Sequence, residues 1–233
     1  ADEALARAGV APAASEEPGL VSSRGGLVAD GNRWLADRVF DVTRSVLAAL
    51  DGNRWLAARI FGVAQRARPD LGQVARYLAD GDLRHAVQQR AIDLIDEDTV
   101  LVIGHSLGSV VAWEVSQRLS RPLLMLLTLG SPLGIGNVVY PRLSPQPPCW
   151  PRGVRRWVNI AHHDDYIAVE PQLAPLFPSS DGRLVEDHPL ASSRDGEPVG
   201  RHEHHSVSGY LERAETGLAV AQALRHRSDP SRC

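Results

Sequence analysis

The sequence predicts an α/β protein: a mostly parallel sheet with helices on both faces. Three observations carry this. Thr99–Ile103, Leu123–Leu129 and Val154–Ala161 are continuous apolar runs, the pattern of strands covered on both sides. Helix-periodic segments lie before, between and after them. The first run enters a Gly-x-Ser-x-Gly pentapeptide, Gly104-His105-Ser106-Leu107-Gly108, and a helical stripe of Leu107, Val110, Val111, Val115 and Leu119 leaves it.

The elements follow in order. Residues 1–69 read as an N-terminal helical and irregular segment, and residues 70–233 as the α/β core. Ala1 to about Gly31 is rich in Ala, Gly, Ser and Glu and has little periodicity, the pattern of a loop, a short helix or a poorly ordered arm. Asp30 to Phe40 recurs as Asp51 to Phe61, each copy a capped amphipathic helix. The preferred reading is a packed helix pair using Trp34 and Trp55 as core. The alternative is a cap over an active site, with the two tryptophans at its entrance. Val74, Tyr77 and Leu78 mark a short helix. Asp82 is expected to cap a longer one whose face carries Leu83, Val87, Ala91, Ile92 and Ile95. The closing stripe runs through Val207, Tyr210, Leu211, Ala214, Leu218, Ala221 and Leu224.

Composition narrows the function. The formal net charge of −3 gives no electrostatic case for nucleic acid or an anionic membrane surface. Every basic residue is arginine, so lysine is excluded as nucleophile, Schiff-base former or general base. Cys149 and Cys233 lie far apart, which argues against a structural disulfide and for a reducing, cytoplasmic location. No run spans a bilayer and no secretory pattern opens the chain. The initial Ala1 fits a processed or truncated form of a longer polypeptide.

The pentapeptide carries the chemistry. A serine hydroxyl is a weak nucleophile and must be held where a base can take its proton. A tight strand-to-helix turn does this, with glycine expected on both sides, Gly104 and Gly108, because the backbones approach closely. The same turn aims the Leu107 N–H at the oxygen of a bound acyl group, as an oxyanion hole. A serine hydrolase also needs a histidine and a carboxylate to orient it, placed beyond later strand ends. Asp164 and Asp165 follow the third apolar run. His202, His204 and His205 precede the last helical stripe, and His205 adjoins its start.

These pieces carry a family resemblance. From about Asp70 to Leu224 the chain resembles bacterial, largely actinobacterial, α/β-hydrolase-fold proteins of lipase or esterase type. The matching residues are Gly104–Val111, Leu129-Gly130-Ser131-Pro132-Leu133-Gly134-Ile135, Trp157–Ala161, Asp165 with Ile167-Ala168, and His205 with Tyr210-Leu211. The resemblance implies Ser106 as nucleophile, Asp165 as acid and His205 as base. Asp165 is favoured over Asp164 because the pattern sets its acid just before the Ile167-Ala168 pair. The Gly-Ser-Pro-Leu-Gly segment would form a loop beside the site. The motifs are specific for the fold, not for a substrate.

One departure matters. Such proteins carry an early strand ending in a His-Gly loop that supplies a second oxyanion N–H. This chain has no His-Gly pair and no convincing strand before Thr99, Gly26-Leu27-Val28 being the faint candidate. The α/β-hydrolase-like sheet is therefore expected to lack its N-terminal strands. Three explanations stay open: the chain lacks an N-terminal part, a protein partner or second copy covers the exposed edge, or the front half folds in a way its sequence does not reveal. The first functional reading is a serine hydrolase that cleaves a carboxylic ester, with a thioester or amide as the less favoured bond, in a small-molecule acyl substrate, without cofactor or metal. The second is a catalytically weak or inactive binding or assembly module. The third is a metal-dependent hydrolase using His162, His163, Asp164, Asp165, His202, His204 and His205. It is disfavoured because adjacent residues rarely face one metal and no recognised ligand spacing appears.

Overall fold

Among the described residues, four strands form an all-parallel sheet in the order β1-β2-β3-β4. They are β1 (Leu101–His105), β2 (Leu123–Leu129), β3 (Val154–His162) and β4 (Glu186–Leu190). The computed structural model describes residues 69–136, 138–191 and 203–227. The expectations for Trp34, Trp55, the repeated helix, Gly26-Leu27-Val28, His202 and Cys233 lie outside the described residues.

The three apolar runs are β1, β2 and β3, with Val102 opposite Leu126 and Leu126 opposite Trp157. β4 (Glu186-Asp187-His188-Pro189-Leu190) was not expected, because it is polar and contains a proline. It forms one margin of the sheet, where a residue without an N–H is tolerated. At the other margin, β1 pairs only with β2 among the described residues, and Ile103 is 43% exposed.

The period-two pattern of β2 sends its side chains to two cores. Leu126 joins Val74, Tyr77, Val110, Trp113, Trp157 and Phe177 on one face. Met125, Leu127 and Leu129 join Val158, Ile160, Tyr210, Ala219 and Ala223 on the other. Each fully buried aliphatic side chain contributes about 1.5–3 kcal/mol. Phe177 sets the first core edge-on against Trp113 (5.5 Å) and Trp157 (5.0 Å).

Helices α1 (Pro69–Ala79), α2 (Gly81–Asp93) and α3 (Leu107–Ser116) accompany the first core. The cap of α2 is Asp80, not Asp82: Asp80 Oδ1 accepts from the Leu83 N–H at 3.0 Å. Asp82 lies in the first turn, where its charge favours the helix start. The buried residue of α2 is Gln88, whereas Val87, Ala91 and Ile95 are only half-buried. Gln88 meets a buried charge on α3. Glu114 accepts from Tyr77 (2.6 Å), Gln88 (2.6 Å) and the Ser144 N–H (3.0 Å), and pairs with Arg84. An otherwise apolar helix thereby ties α1, α2 and the loop after β2 together.

The closing stripe is two helices, α4 (Val207–Leu211) and α5 (Ala214–Arg227), interrupted at Glu212 and Arg213. The break rotates the pattern. Tyr210, Thr216, Ala219 and Ala223 are buried, while Leu211, Leu218 and Leu224 are half or more exposed.

Candidate functional site

The chemistry-bearing residues stand at or just beyond the C-terminal ends of β1 and β3. β1 stops at His105 and α3 starts at Leu107, so Ser106 alone makes the turn. Its φ of 53° and ψ of −127° lie where side-chain-bearing residues are strained. Such a conformation costs roughly 1–3 kcal/mol and persists only where the surroundings hold it. They do. The Ser106 N–H donates to Leu129 O at 3.0 Å. The Ser106 carbonyl accepts from both the N–H (2.9 Å) and the hydroxyl (2.5 Å) of Ser109. Ser109 is itself tied to Ser131 Oγ at 2.7 Å.

The two glycines are unequal, contrary to the sequence expectation. A Cβ on Gly104 would lie 2.6 Å from Gly108 O and 2.6 Å from Ser109 Cα. A Cβ on Gly108 would meet nothing within 4 Å, because this residue faces an open groove.

Ser106, His205 and Asp165 form one hydrogen-bonded chain. His205 Nδ1 donates to Asp165 Oδ2 at 2.9 Å, which leaves Nε2 as acceptor for the Ser106 hydroxyl, also at 2.9 Å. His205 ends a single 3-10 turn, Glu203–His205, just before the Ser206 cap of α4. Asp165 follows β3 and is buried. Its Oδ1 accepts from the N–H groups of Ile167 (2.8 Å) and Ala168 (3.4 Å), and its Oδ2 also accepts from Tyr210 OH at 2.6 Å. Every partner donates, so both oxygens act only as acceptors.

Asp164 stands elsewhere, with its N–H on His162 Nδ1 at 3.1 Å. Leu107 opens α3, so its N–H belongs to the set a helix leaves without intrahelical partners.

Sequence reasoning missed two supports. Tyr210 bridges Asp165 to the His162 N–H, which its hydroxyl accepts at 2.9 Å. Burial and then the Asp165 charge push the Tyr210 phenol far above its ordinary value, so it stays a donor. His105 Nε2 donates to the His205 carbonyl at 2.9 Å, and the two rings lie 4.8 Å apart. The signals were a tyrosine five residues after His205 and a histidine inside the pentapeptide.

The wider histidine and aspartate set divides in two. Asp165 and His205 serve the hydrogen-bonded chain. His162, Asp164 and His204 each bring one ligand-type atom within 4.8 Å of the others. The His162 and His204 rings are stacked at 4.0 Å. Burial and then His204 hold the His162 imidazole below the ordinary histidine value; Arg213 adds to this, and Asp164 and Asp165 oppose it. His163 is 67% exposed and outside this group.

A groove of about 1000 Å³ opens beside Ser106, along α2, α3 and the outer edge of β1. Ala91, Ile95, Ile103, Leu107, Val111 and Val115 make it largely apolar. Comparison with protein-family models, with curated proteins and with solved structures found no match to this chain. No helix among the described residues is long and apolar enough to cross a membrane.

Proposed function

We propose that the protein is a serine hydrolase of α/β-hydrolase type that cleaves carboxylic esters with apolar acyl groups. The observation that carries this is the unbroken Ser106–His205–Asp165 chain, two contacts of 2.9 Å each, on a serine at positive φ. In this reading Ser106 Oγ attacks the acyl carbon while His205 Nε2 takes its proton. Asp165 holds the imidazole tautomer and stabilises the imidazolium. The Leu107 N–H stabilises the developing oxyanion, helped by the helix start. His205 then protonates the leaving alkoxide, and water releases the acid by the reverse sequence. The groove lined by Ala91, Ile95 and Val111 supports an apolar acyl chain as the group held beside Ser106. A cytoplasmic location belongs to the same reading, motivated by the free Cys149.

The test is labelling with a fluorophosphonate, together with turnover of p-nitrophenyl esters. One label per chain at Ser106, lost in Ser106→Ala along with turnover, is the expected result. Intact folded protein that neither labels nor turns over esters overturns it.

A second reading, a binding or assembly module, is favoured by one observation. β1 has a single strand partner among the described residues. It predicts a stable complex with another chain and turnover, if any, that is indifferent to Ser106→Ala.

A further inference from the structure

We propose that His105 is a positioning residue for His205, holding its main chain so that its imidazole meets the Ser106 hydroxyl. The effect on turnover rests on the hydrolase reading; the hold itself does not.

Two consecutive residues at the end of β1 reach the same histidine. His105 Nε2 donates to the His205 carbonyl at 2.9 Å, and the Ser106 hydroxyl donates to His205 Nε2 at 2.9 Å. One bond takes the main chain of His205 and the other its ring. A carbonyl only accepts, so His105 carries a proton on Nε2 in this contact. Neighbouring side chains on a regular strand point to opposite faces. Both reach His205 here because Ser106 leaves the strand conformation, at φ 53°.

His205 needs such a hold. It ends a 3-10 turn of three residues, Glu203–His205, an element whose own hydrogen bonds are poorly aligned. The end of β1 is fixed better. His105 lies opposite Leu129 of β2, and the Ser106 N–H donates to Leu129 O at 3.0 Å. His105 passes that fixed position on to the turn. Its ring also lies 4.8 Å from the His205 ring, tilted by 33°, and 5.8 Å from the Tyr210 ring. It therefore fills space into which the imidazole could otherwise tilt.

The ties on His205 have different tasks. Asp165 directs the ring through Nδ1. His105 fixes the main chain, and it does so from the residue next to the nucleophile. A slide of the turn past β1 would open the contact between Ser106 and His205, and the His105 bond opposes that slide. A misplacement of about 1 Å in a reacting group can cost about a hundredfold in rate.

Three substitutions separate the donor from its bulk. His105→Gln sets an amide N–H near the place of Nε2. His105→Asn is one methylene shorter and falls short of the carbonyl. His105→Phe keeps a ring and has no donor. Turnover of a p-nitrophenyl ester is measured for the full chain and each variant, with circular dichroism to confirm folding. In His105→Phe and His105→Asn, kcat should fall by about tenfold or more while KM stays near the parent value. His105→Gln should recover most of that loss. If His105→Phe does not fold, the comparison of glutamine with asparagine decides, since both are polar and differ only in reach. Unchanged kcat in His105→Phe overturns the proposal. So does an equal fall in all three variants, which would make His105 a packing residue only.

A second readout does not need turnover. The proton on His205 Nδ1 is followed by NMR of the imidazole N–H groups and assigned by its loss in His205→Gln. It should be sharp in the parent and in His105→Gln, and broadened by exchange with water in His105→Phe and His105→Asn. An equally sharp signal in all of them overturns the hold on His205. A parent that turns over no ester but shows the expected NMR pattern defeats the hydrolase reading and leaves the hold standing.

Discussion

Tyr210 and His205 grip the same oxygen of Asp165, at 2.6 Å and 2.9 Å. The aspartate is therefore aimed from two elements at once, from α4 by the phenol and from the preceding turn by the imidazole. Gly130, at the end of β2, leaves room for that arrangement.

Tyr210→Phe removes one grip and leaves the other. It also leaves the His162 N–H buried without its acceptor, a cost of about 1–3 kcal/mol. The expected variant is folded, with an unfolding midpoint lower by several degrees. On the hydrolase reading, kcat for an activated ester falls about tenfold and KM stays close to the parent value. Steady-state kinetics beside a denaturant titration check both. A fall in stability with unchanged kcat would make Tyr210 a packing residue only.

Gly130→Ala strikes the same oxygen from the opposite direction. The added Cβ would lie 2.7 Å from Asp165 Oδ2 and 2.8 Å from the Tyr210 ring, on a backbone at φ +53°. Neither neighbour is free to move, since Asp165 accepts four hydrogen bonds and Tyr210 is buried. On the hydrolase reading, ester turnover should fall by at least a hundredfold while the chain stays folded, as circular dichroism and kinetics would report. Asp165→Asn gives the scale for complete loss of the carboxylate, about ten-thousandfold in kcat in serine proteases.

Much of this was legible in the chain, for identifiable reasons. β2 and β3 are covered on both faces, so their runs are apolar without interruption and announce themselves. β4 is a marginal strand that uses Asp187 to hold the Leu173 and Ala174 N–H groups, so its sequence reads as a loop. Ser106, Asp165 and His205 were legible because motif and chain order identify them together. Tyr210 and His105 were not, because their roles depend on which atom of a distant residue they reach. The cap of α2 was misplaced by two residues because Asp80 and Asp82 both fit the rule. Only the Asp80 carboxylate meets the Leu83 N–H. The tail read as one stripe because its leucines keep helical spacing across the break at Glu212.

The charge buried on α3 sets stability away from the site. Glu114→Ala strips the acceptor from Tyr77, Gln88, Arg84 and the Ser144 N–H together. Breaking a buried ion pair from one side costs about 3–5 kcal/mol. Arg84→Ala should cost roughly half of that, because Glu114 keeps three other donors. Urea denaturation of the two variants checks the order, and equal losses would count against a shared network.

Tyr77 makes that network sensitive to alkali. Burial, and then Glu114, push its phenol above the ordinary value near 10. As pH rises past about 10, an unfolded Tyr77 gives up its proton and the folded one keeps it. The unfolded state then binds fewer protons, so stability is fully present below pH 10 and is lost above it. The slope from this one group is about 1.4 kcal/mol per pH unit. Chemical denaturation between pH 9 and 11 should show the decline, and Tyr77→Phe should flatten it by that share. An unchanged slope would mean that the phenol ionises equally in both states.

On the hydrolase reading, the groove beside Ser106 selects the acyl chain. Ala91 on α2 and Ser106 line one cavity, and the alanine is its smallest wall on that helix. Ala91→Trp would fill part of a space of about 1000 Å³ while keeping Ser106, His205 and Asp165 unsubstituted. If the acyl chain lies there, kcat/KM for an octanoyl ester should drop at least tenfold while the acetyl ester is nearly unaffected. Each buried methylene is worth about 0.8 kcal/mol, so excluding two or three of them suffices for that ratio. A uniform loss across chain lengths would argue that the groove is the uncovered edge of β1 and that the acyl group lies elsewhere. A p-nitrophenyl ester series from two to twelve carbons separates the two outcomes. The same variant also bears on the second reading: if a partner strand seats against β1, the bulky indole should weaken that complex and leave the chain-length profile flat.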